Sequence, residues 1–283
     1  GKRKESKRCC TSRTARFRLL PGKCSNHVYD HVFGFTFFSA SMWVGQQLAD
    51  GLDFWGFLGS LILGGIILGI YTGLLGYVGA KTGLSLDLLS QRAFGEKGSY
   101  LPSAMTSFTQ IGWFGVGLAM FAIPVSKELL GGSTAAQWGL VILAGVCMTA
   151  SAYFGIESLT IVSYIAVPSV AILGTIAMVM AVMRGDGTII DQFAKSSGSL
   201  TIIGGAGLVI GSFVSGGTAT PNFARFAKDG KAGAITTVVA FFIGNSLMFF
   251  FGAVSSIFVG GNDIFEVMVR LNLFYLAVLV LGL

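Results

Sequence analysis

The stretch FWGFLGSLILGGIILGIYTGLLGYV occupies residues 54–78 and contains no charged side chain. At about 1.5 Å per helical residue, it is long enough to cross the roughly 30 Å hydrocarbon core of a bilayer as one helix. The whole chain shares this character, because 11% of its residues are charged and its mean hydropathy is +0.75. Soluble proteins carry about 25% charged residues. The sequence therefore predicts an all-α, polytopic membrane protein.

Other apolar runs of comparable length recur along the chain and are separated by short polar connections. We predict a basic N-terminal tail over residues 1–32, followed by one transmembrane bundle over residues 33–283. The bundle contains eight predicted membrane segments, the last of them incomplete: residues 33–48, 54–78, 101–125, 138–154, 159–183, 200–219, 234–259 and 271–283.

The distribution of Lys and Arg predicts the orientation of these segments. Nine of the nineteen basic residues lie in the first 23 residues, which accounts for the net charge of +6 without a nucleic-acid partner. With the N-terminus in the cytoplasm, fifteen basic residues face inward, and four face outward: Lys127, Arg184, Lys195 and Arg270. This excess on the inner side is typical of membrane proteins. We therefore predict a multi-pass protein of the plasma (inner) membrane with a cytoplasmic N-terminus.

Two of the predicted segments differ from ordinary lipid-facing helices. The first contains FFSAS at residues 37–41, and the sixth contains SFVSGGT at residues 212–218. Each combines an aromatic residue with small, polar and flexible ones, and the two lie at an offset of five segments. Secondary transporters built from inverted repeats carry a discontinuous helix at matching positions of the two halves. We predict such repeats over about residues 33–183 and from about residue 200 to 283, with close helix packing by small residues as the alternative.

The chemistry of the membrane segments favours a neutral ligand. No Asp, Glu, Lys or Arg lies well inside any predicted segment, whereas intramembrane charges mark proton relays and sites for charged substrates. An enzyme would need a catalytic or metal-binding cluster at membrane depth. The two histidines, His27 and His31, both precede the first segment, so we predict no enzymatic activity.

The third segment contains TQIGWFGVG at residues 109–117, in which Gln110 and Trp113 are three residues apart. This spacing places both side chains on one face of a helix. A carboxamide is too costly to leave unpaired in hydrocarbon, so Gln110 must face protein or a polar cavity. A planar heterocycle stacked on Trp113 and hydrogen-bonded to Gln110 would satisfy both groups. The alternative is a hydrogen bond from Gln110 to a neighbouring helix.

Several long stretches, in order, resemble the nucleobase–cation symporter family, and within it the bacterial permeases for cytosine. The stretches are TFFSASMW (36–43), LGIYTGLLGYVGAKTGL (68–84), QIGWFGVGLAMFAIPV (110–125), GSFVSGGT (211–218) and FFIGNSLMFFFGA (241–253). The resemblance covers residues 34–283 and excludes the basic tail. It implies a leucine-transporter-like fold of twelve spans, of which this chain would hold seven and the opening of the eighth.

The resemblance also implies a site and a coupling ion. Cytosine would lie between Trp113 and Phe213, hydrogen-bonded to Gln110, with further contacts from the first and sixth segments: Phe38, Ser39, Ser215 and Gly216. Sodium would bind between the first and eighth segments, and the backbone carbonyls of Gly34 and Phe37 would be its first-segment ligands. Because the remaining sodium ligands would follow Leu283, we expect no sodium-coupled uptake by the 283-residue chain alone.

The function that the resemblance implies is sodium-coupled import of a nucleobase, most directly cytosine, by alternating access. Another planar heterocycle, such as a purine, allantoin or a hydantoin, is an alternative, because a carboxamide can present either edge. A sensor or a non-transporting fragment is a further alternative. The implied partners are the base, sodium and the lipid bilayer, with no other cofactor.

Overall fold

The computed structural model describes Thr36, residues 39–153 and residues 156–259. Within these residues the chain is helical, without strands. The helices are α1 (Ser39–Gly51), α2 (Phe54–Thr82), α3 (Leu86–Gly98), α4 (Tyr100–Leu129), α5 (Thr134–Tyr153), α6 (Ile156–Arg184), α7 (Ile189–Phe193), α8 (Ile202–Thr218), α9 (Thr220–Ala224), α10 (Gly230–Val239) and α11 (Asn245–Val259). The predicted eighth segment lies outside the described residues.

Among the described residues, four helices are long and apolar enough to cross a membrane. They are Phe54–Thr82, Tyr100–Lys127, Val167–Arg184 and the continuous apolar stretch Gly230–Val259. Two further apolar helices, Thr134–Ala150 and Ile202–Thr218, are shorter. The second to seventh predicted segments therefore each coincide with a helix, and the protein is a multi-pass membrane protein.

Local signals in the sequence explain where the second segment begins and ends. The Asp53 side chain accepts a hydrogen bond from the Gly56 N–H at 3.1 Å and caps the start of α2. At the other end, Gly83 adopts a left-handed conformation with φ of 70° and stops the helix. The helix therefore extends four residues past the predicted boundary at residue 78. The apolar run ends at that boundary, but the polar residues Lys81 and Thr82 continue the helix.

Helices α1 and α11 approach each other more closely than side chains would permit. A Cβ atom at Gly45 would collide with the backbone carbonyl of Phe249, and one at Gly252 would collide with that of Met42. The Ser41 hydroxyl also donates a hydrogen bond to Oδ1 of Asn245 at 3.0 Å. Both polar side chains are buried. Small residues that allow such backbone contact are typical of helix pairs in membranes.

A π-helical turn at Ala240–Gly244 joins α10 to α11. It interrupts the regular hydrogen-bond pattern in the middle of the seventh segment without ending the helix, and such turns are frequent at functional sites. Asn245 is the first residue after this turn. The turn therefore lies beside the buried contact between α1 and α11.

The polar connection before the sixth segment folds back onto the bundle. It contains α7, whose Phe193 ring is fully buried 5.1 Å from the ring of Phe57. The Thr188 hydroxyl donates to the Asp191 carboxylate at 2.7 Å, and this bond holds the pKa of Asp191 below its usual value. Beyond α7, the N–H of Ser197 donates to the carbonyl of Asp50 at 2.8 Å. The connection thus caps the C-terminal end of α1.

The sixth segment departs from its predicted form in one respect. We expected the discontinuity inside residues 212–218, but α8 remains helical through this stretch and ends at Thr218. A separate short helix, α9, then begins at Thr220 with Pro221 in its first turn. Proline lacks the N–H that a continuous helix would need, so the break falls here. The predicted counterpart, at residues 37–38 of the first segment, lies outside the described residues.

Candidate functional site

Gln110 lines a cavity of about 340 Å³. The cavity lies between α4, the start of α3 and the break between α8 and α9. Its other lining residues are Leu86, Asp87, Ser103, Thr106, Ser107, Ala219, Asn222 and Phe223. The volume falls within the range of about 300–1,000 Å³ that is usual for small-molecule sites. Gln110 therefore lies at a cavity that polar and apolar side chains line together.

The α4 side of the cavity is a polar stripe on a mostly apolar helix. Ser103, Thr106, Ser107 and Gln110 all line the cavity, and their spacing of three, four and seven residues keeps them on one helical face. Trp113 follows one turn beyond Gln110 and is half-buried. The stripe therefore leads from the level of Trp113 toward the end of α4 that adjoins α3.

Helix α3 closes that end of the cavity and is held by two hydrogen bonds. Oδ1 of Asn222, in α9, accepts the N–H of Leu86 at 2.9 Å and so satisfies a helix-terminal donor that Ser85 leaves without a side-chain cap. The Ser103 hydroxyl, in α4, donates to Asp87 at 2.5 Å. The start of α3 is therefore attached both to α9 and to α4.

The sixth-segment residues of the expected site lie on α8. Phe213 is 5% exposed, and its ring packs edge-on against Phe241 with 5.6 Å between the ring centroids. Gly216 is buried and Ser215 is half-buried. Phe213 and Gly216 therefore belong to the interior of the bundle. The residue that directly follows their helix, Ala219, lines the cavity.

The first-segment residues of the expected site are only partly described. Gly34, Phe37 and Phe38 lie outside the described residues, and Ser39 is the first residue of α1. In the part of the chain that the structure does describe, no group of three His, Cys, Asp or Glu residues could hold a metal ion. The carbonyl ligands expected for sodium stay a prediction.

Most of the cavity is not evident from the sequence. Asp87 lies in a stretch that the sequence predicts as a polar connection, and the small hydroxyl residues of α4 lie within a predicted apolar segment. One signal could have identified them, namely the helical spacing of Ser103, Thr106 and Ser107 below Gln110. Asn222 carried no such signal, because its partner Leu86 is 136 residues away in the sequence.

Residues 30–275 match the family of permeases for cytosine/purines, uracil, thiamine and allantoin. The chain is similar to the cytosine permeases of Escherichia coli strains K12 and O157:H7, with 46% identity over 253 residues. That alignment covers 89% of this chain and 59% of each relative. The chain thus spans less than two thirds of the length of these relatives.

The fold is similar to that of Mhp1, a nucleobase-cation-symport-1 family transporter. The TM-score is 0.75 to its closed conformation with bromovinylhydantoin bound, at 15% identity over 90% of this chain and 61% of that one. It is 0.64 to the inward-facing conformation, at 16% identity over 90% of this chain and 60% of that one. This likeness confirms the expected leucine-transporter-like fold.

Proposed function

The chain belongs to the permease family for cytosine, purines, uracil, thiamine and allantoin, and we propose that it imports a nucleobase, most directly cytosine, together with sodium. It does so as a secondary active transporter and has no enzymatic activity. The similarity to cytosine permeases over 89% of the chain supports this choice of substrate. The chain spans 59% of the length of those relatives. The transport activity, the base and the coupling ion are therefore proposed for this chain.

The observation that carries the proposal is the exposure of Gln110 to the cavity. Within the described residues, its carboxamide forms no hydrogen bond to the protein. An amide at membrane depth needs a polar partner, because hydrocarbon offers none. A base supplies that partner, since its ring nitrogens and exocyclic groups present adjacent donors and acceptors that match a carboxamide.

The remaining contacts follow from the positions of the aromatic residues. Trp113 lies one turn beyond Gln110 and offers a ring face to the base. Phe213 forms the opposite wall of the proposed sandwich, with Ser215, Gly216, Phe38 and Ser39 as further contacts. The backbone carbonyls of Gly34 and Phe37 contribute to the sodium site. Such a site, near the junction of two inverted repeats, suits alternating access.

The packing of the helices supports a division into two groups that could move against each other. Helix α1 lies in backbone contact with α11. Glycines of α2 also allow close packing against α8 and α10, as at Gly64, which lies against the side chain of Val209. Helices α4 and α5 pack chiefly on each other. We propose that the group formed by α1, α2, α8, α10 and α11 rocks against the pair formed by α4 and α5, with the base between α4 and α8. The first inverted repeat covers about residues 33–183, and the second begins near residue 200.

Equilibrium binding of radiolabelled cytosine tests this function in a purified version extended over the full length of the relatives, because the chain spans 59% of them. Sodium and base must stabilise the same conformation, so each must raise the affinity for the other. Replacing choline chloride with sodium chloride should lower the Kd for cytosine by about 5-fold or more. Uracil, adenine, allantoin and benzylhydantoin serve as competitors, and stronger competition by one of them would reassign the substrate. Binding that is absent in both salts would contradict the proposal.

We further propose that the N-terminus is cytoplasmic and that the protein resides in the inner membrane. Single cysteines at four positions test the topology in a variant whose four native cysteines are replaced by serine. An impermeant thiol reagent should label intact cells that carry Lys127→Cys or Lys195→Cys. Cells that carry Lys97→Cys or Lys231→Cys should be labelled only after permeabilisation. The reverse pattern would show the opposite orientation.

A further inference from the structure

We propose that the cavity below Gln110 is a second binding site for the transported base, occupied after the base leaves Trp113 and before it enters the cytoplasm. This inference rests on the proposed function and adds a release site to it. The site is built from three elements, with Ser107 on α4, Asp87 on α3 and Asn222 on α9. Gln110 lies at the junction between the release site and the stacking site.

The polar groups of the cavity suit a neutral base and exclude an anion. Asp87 is the charged residue among those that line it, and no Lys or Arg lies among the described lining residues. A nucleotide phosphate would therefore meet a carboxylate without a compensating cation. A base amino group, in contrast, can donate a hydrogen bond to the oxygen of Asp87 that does not accept from Ser103.

Donors are present on the opposite side of the cavity. Oδ1 of Asn222 accepts from Leu86, which leaves the amide N–H groups of Asn222 to donate to a carbonyl or ring nitrogen. The Ser107 hydroxyl forms no hydrogen bond within the described residues and can either donate or accept one. Phe223 adds an aromatic wall. Together these groups supply both the donors and the acceptors that the edge of a base requires.

The position of the cavity gives the site its role. Lys97 lies on α3, Arg225 and Lys228 follow α9, and Lys231 lies in the first turn of α10. The excess of basic residues at this end of the bundle is the basis on which we assign it to the cytoplasm. A base that moves down the stripe from Gln110 to Ser107 exchanges one set of hydrogen-bond partners for another at each step. The site therefore lowers the cost of taking a polar base away from Trp113.

A single cysteine at Ser107 tests the proposal, again in the variant without native cysteines. In inside-out vesicles, saturating cytosine should slow the reaction of Ser107→Cys with an impermeant thiol reagent by 5-fold or more. Arg92→Cys is the matched control, because Arg92 is exposed on α3 and does not line the cavity. Its rate of reaction should be the same with and without cytosine.

Two substitutions separate the release site from the stacking site. Trp113→Ala should leave the cytosine concentration that half-protects Ser107→Cys within 2-fold of its original value, whereas Asp87→Asn should raise it 5-fold or more. If Trp113→Ala instead raises this half-protecting concentration by the same factor by which it raises the Kd for radiolabelled cytosine, the cavity is not a separate site. Unaltered labelling in the presence of cytosine, with radiolabelled binding retained, overturns this inference alone. Loss of all cytosine binding in the unmodified protein overturns the proposed function as well.

Discussion

In the version extended over the full length of the relatives, Trp113→Ala should weaken cytosine binding about 5- to 150-fold. This loss corresponds to the roughly 1–3 kcal/mol that stacking on an aromatic ring contributes per base. The substitution removes the ring face on which the base is proposed to lie and leaves Gln110 in place. Binding should therefore become weaker without a change in which bases compete. Gln110→Ala should weaken binding and also change which bases compete, because it removes the group that pairs with the edge of the base.

Equilibrium binding of radiolabelled cytosine measures this effect, and Trp138→Ala is the matched control. Trp138 is 64% exposed on α5 and does not line the cavity, so its removal should leave the Kd unchanged. Phe213→Ala needs a parallel measurement of thermal stability, because Phe213 also packs against Phe241. If Trp113→Ala and Gln110→Ala both bound cytosine as the parent does, the sandwich would be excluded.

Gly252→Ala should destabilise the protein by about 1–3 kcal/mol, the usual cost of inserting atoms into a close-packed contact. The added methyl group would meet the backbone carbonyl of Met42, and backbone atoms cannot move aside as the end of a side chain can. Gly45→Ala should act in the same way against the carbonyl of Phe249. Because both changes separate α1 from α11, they should also weaken the hydrogen bond between Ser41 and Asn245.

Gly207→Ala on α8 is the control for this prediction. A Cβ atom at Gly207 would meet nothing within 4 Å, and alanine is favoured over glycine within a helix by about 0.5–1 kcal/mol. Heating the purified variants and measuring the fraction that stays monodisperse gives the three apparent Tm values. Gly252→Ala and Gly45→Ala should unfold at lower temperatures than the parent, and Gly207→Ala should not. Equal Tm values for all three would refute the close contact.

The sequence predicted the helices well where the signal was local. Residue 54 was placed correctly as the start of the second segment, because the apolar run and the capping residue Asp53 coincide there. The break after α8 was misplaced because small, flexible residues at 212–218 tolerate a regular helix, whereas Pro221 does not. Apolar patterns also cannot reveal α7, where the burial of Phe193 depends on Phe57 and hence on tertiary contact.

The candidate site was predictable only in part, for the same reason. Gln110 was identifiable because a carboxamide in an apolar helix is costly and must have a partner. Asp87 and Asn222 lie in polar stretches where such residues are ordinary. Their participation in the cavity depends on contacts between α3, α4 and α9. The sequence thus revealed the residue that is exceptional in its segment and missed those that become important only through folding.

The π-helical turn at Ala240–Gly244 has an evolutionary consequence. A π-helical turn holds one residue more than the α-helical turn it replaces, so it has the geometry of a single-residue insertion that the helix has absorbed. Each α-helical residue advances the chain by about 100° around the axis. Loss of one residue from this turn would return it to a regular α-helical turn and leave Asn245, Phe249 and Gly252 facing α1, whereas loss of a residue from α10 would rotate all three by about that angle relative to the start of the helix. The seventh segment can therefore accept a change of one residue in length at this turn more readily than in the α-helical parts that flank it.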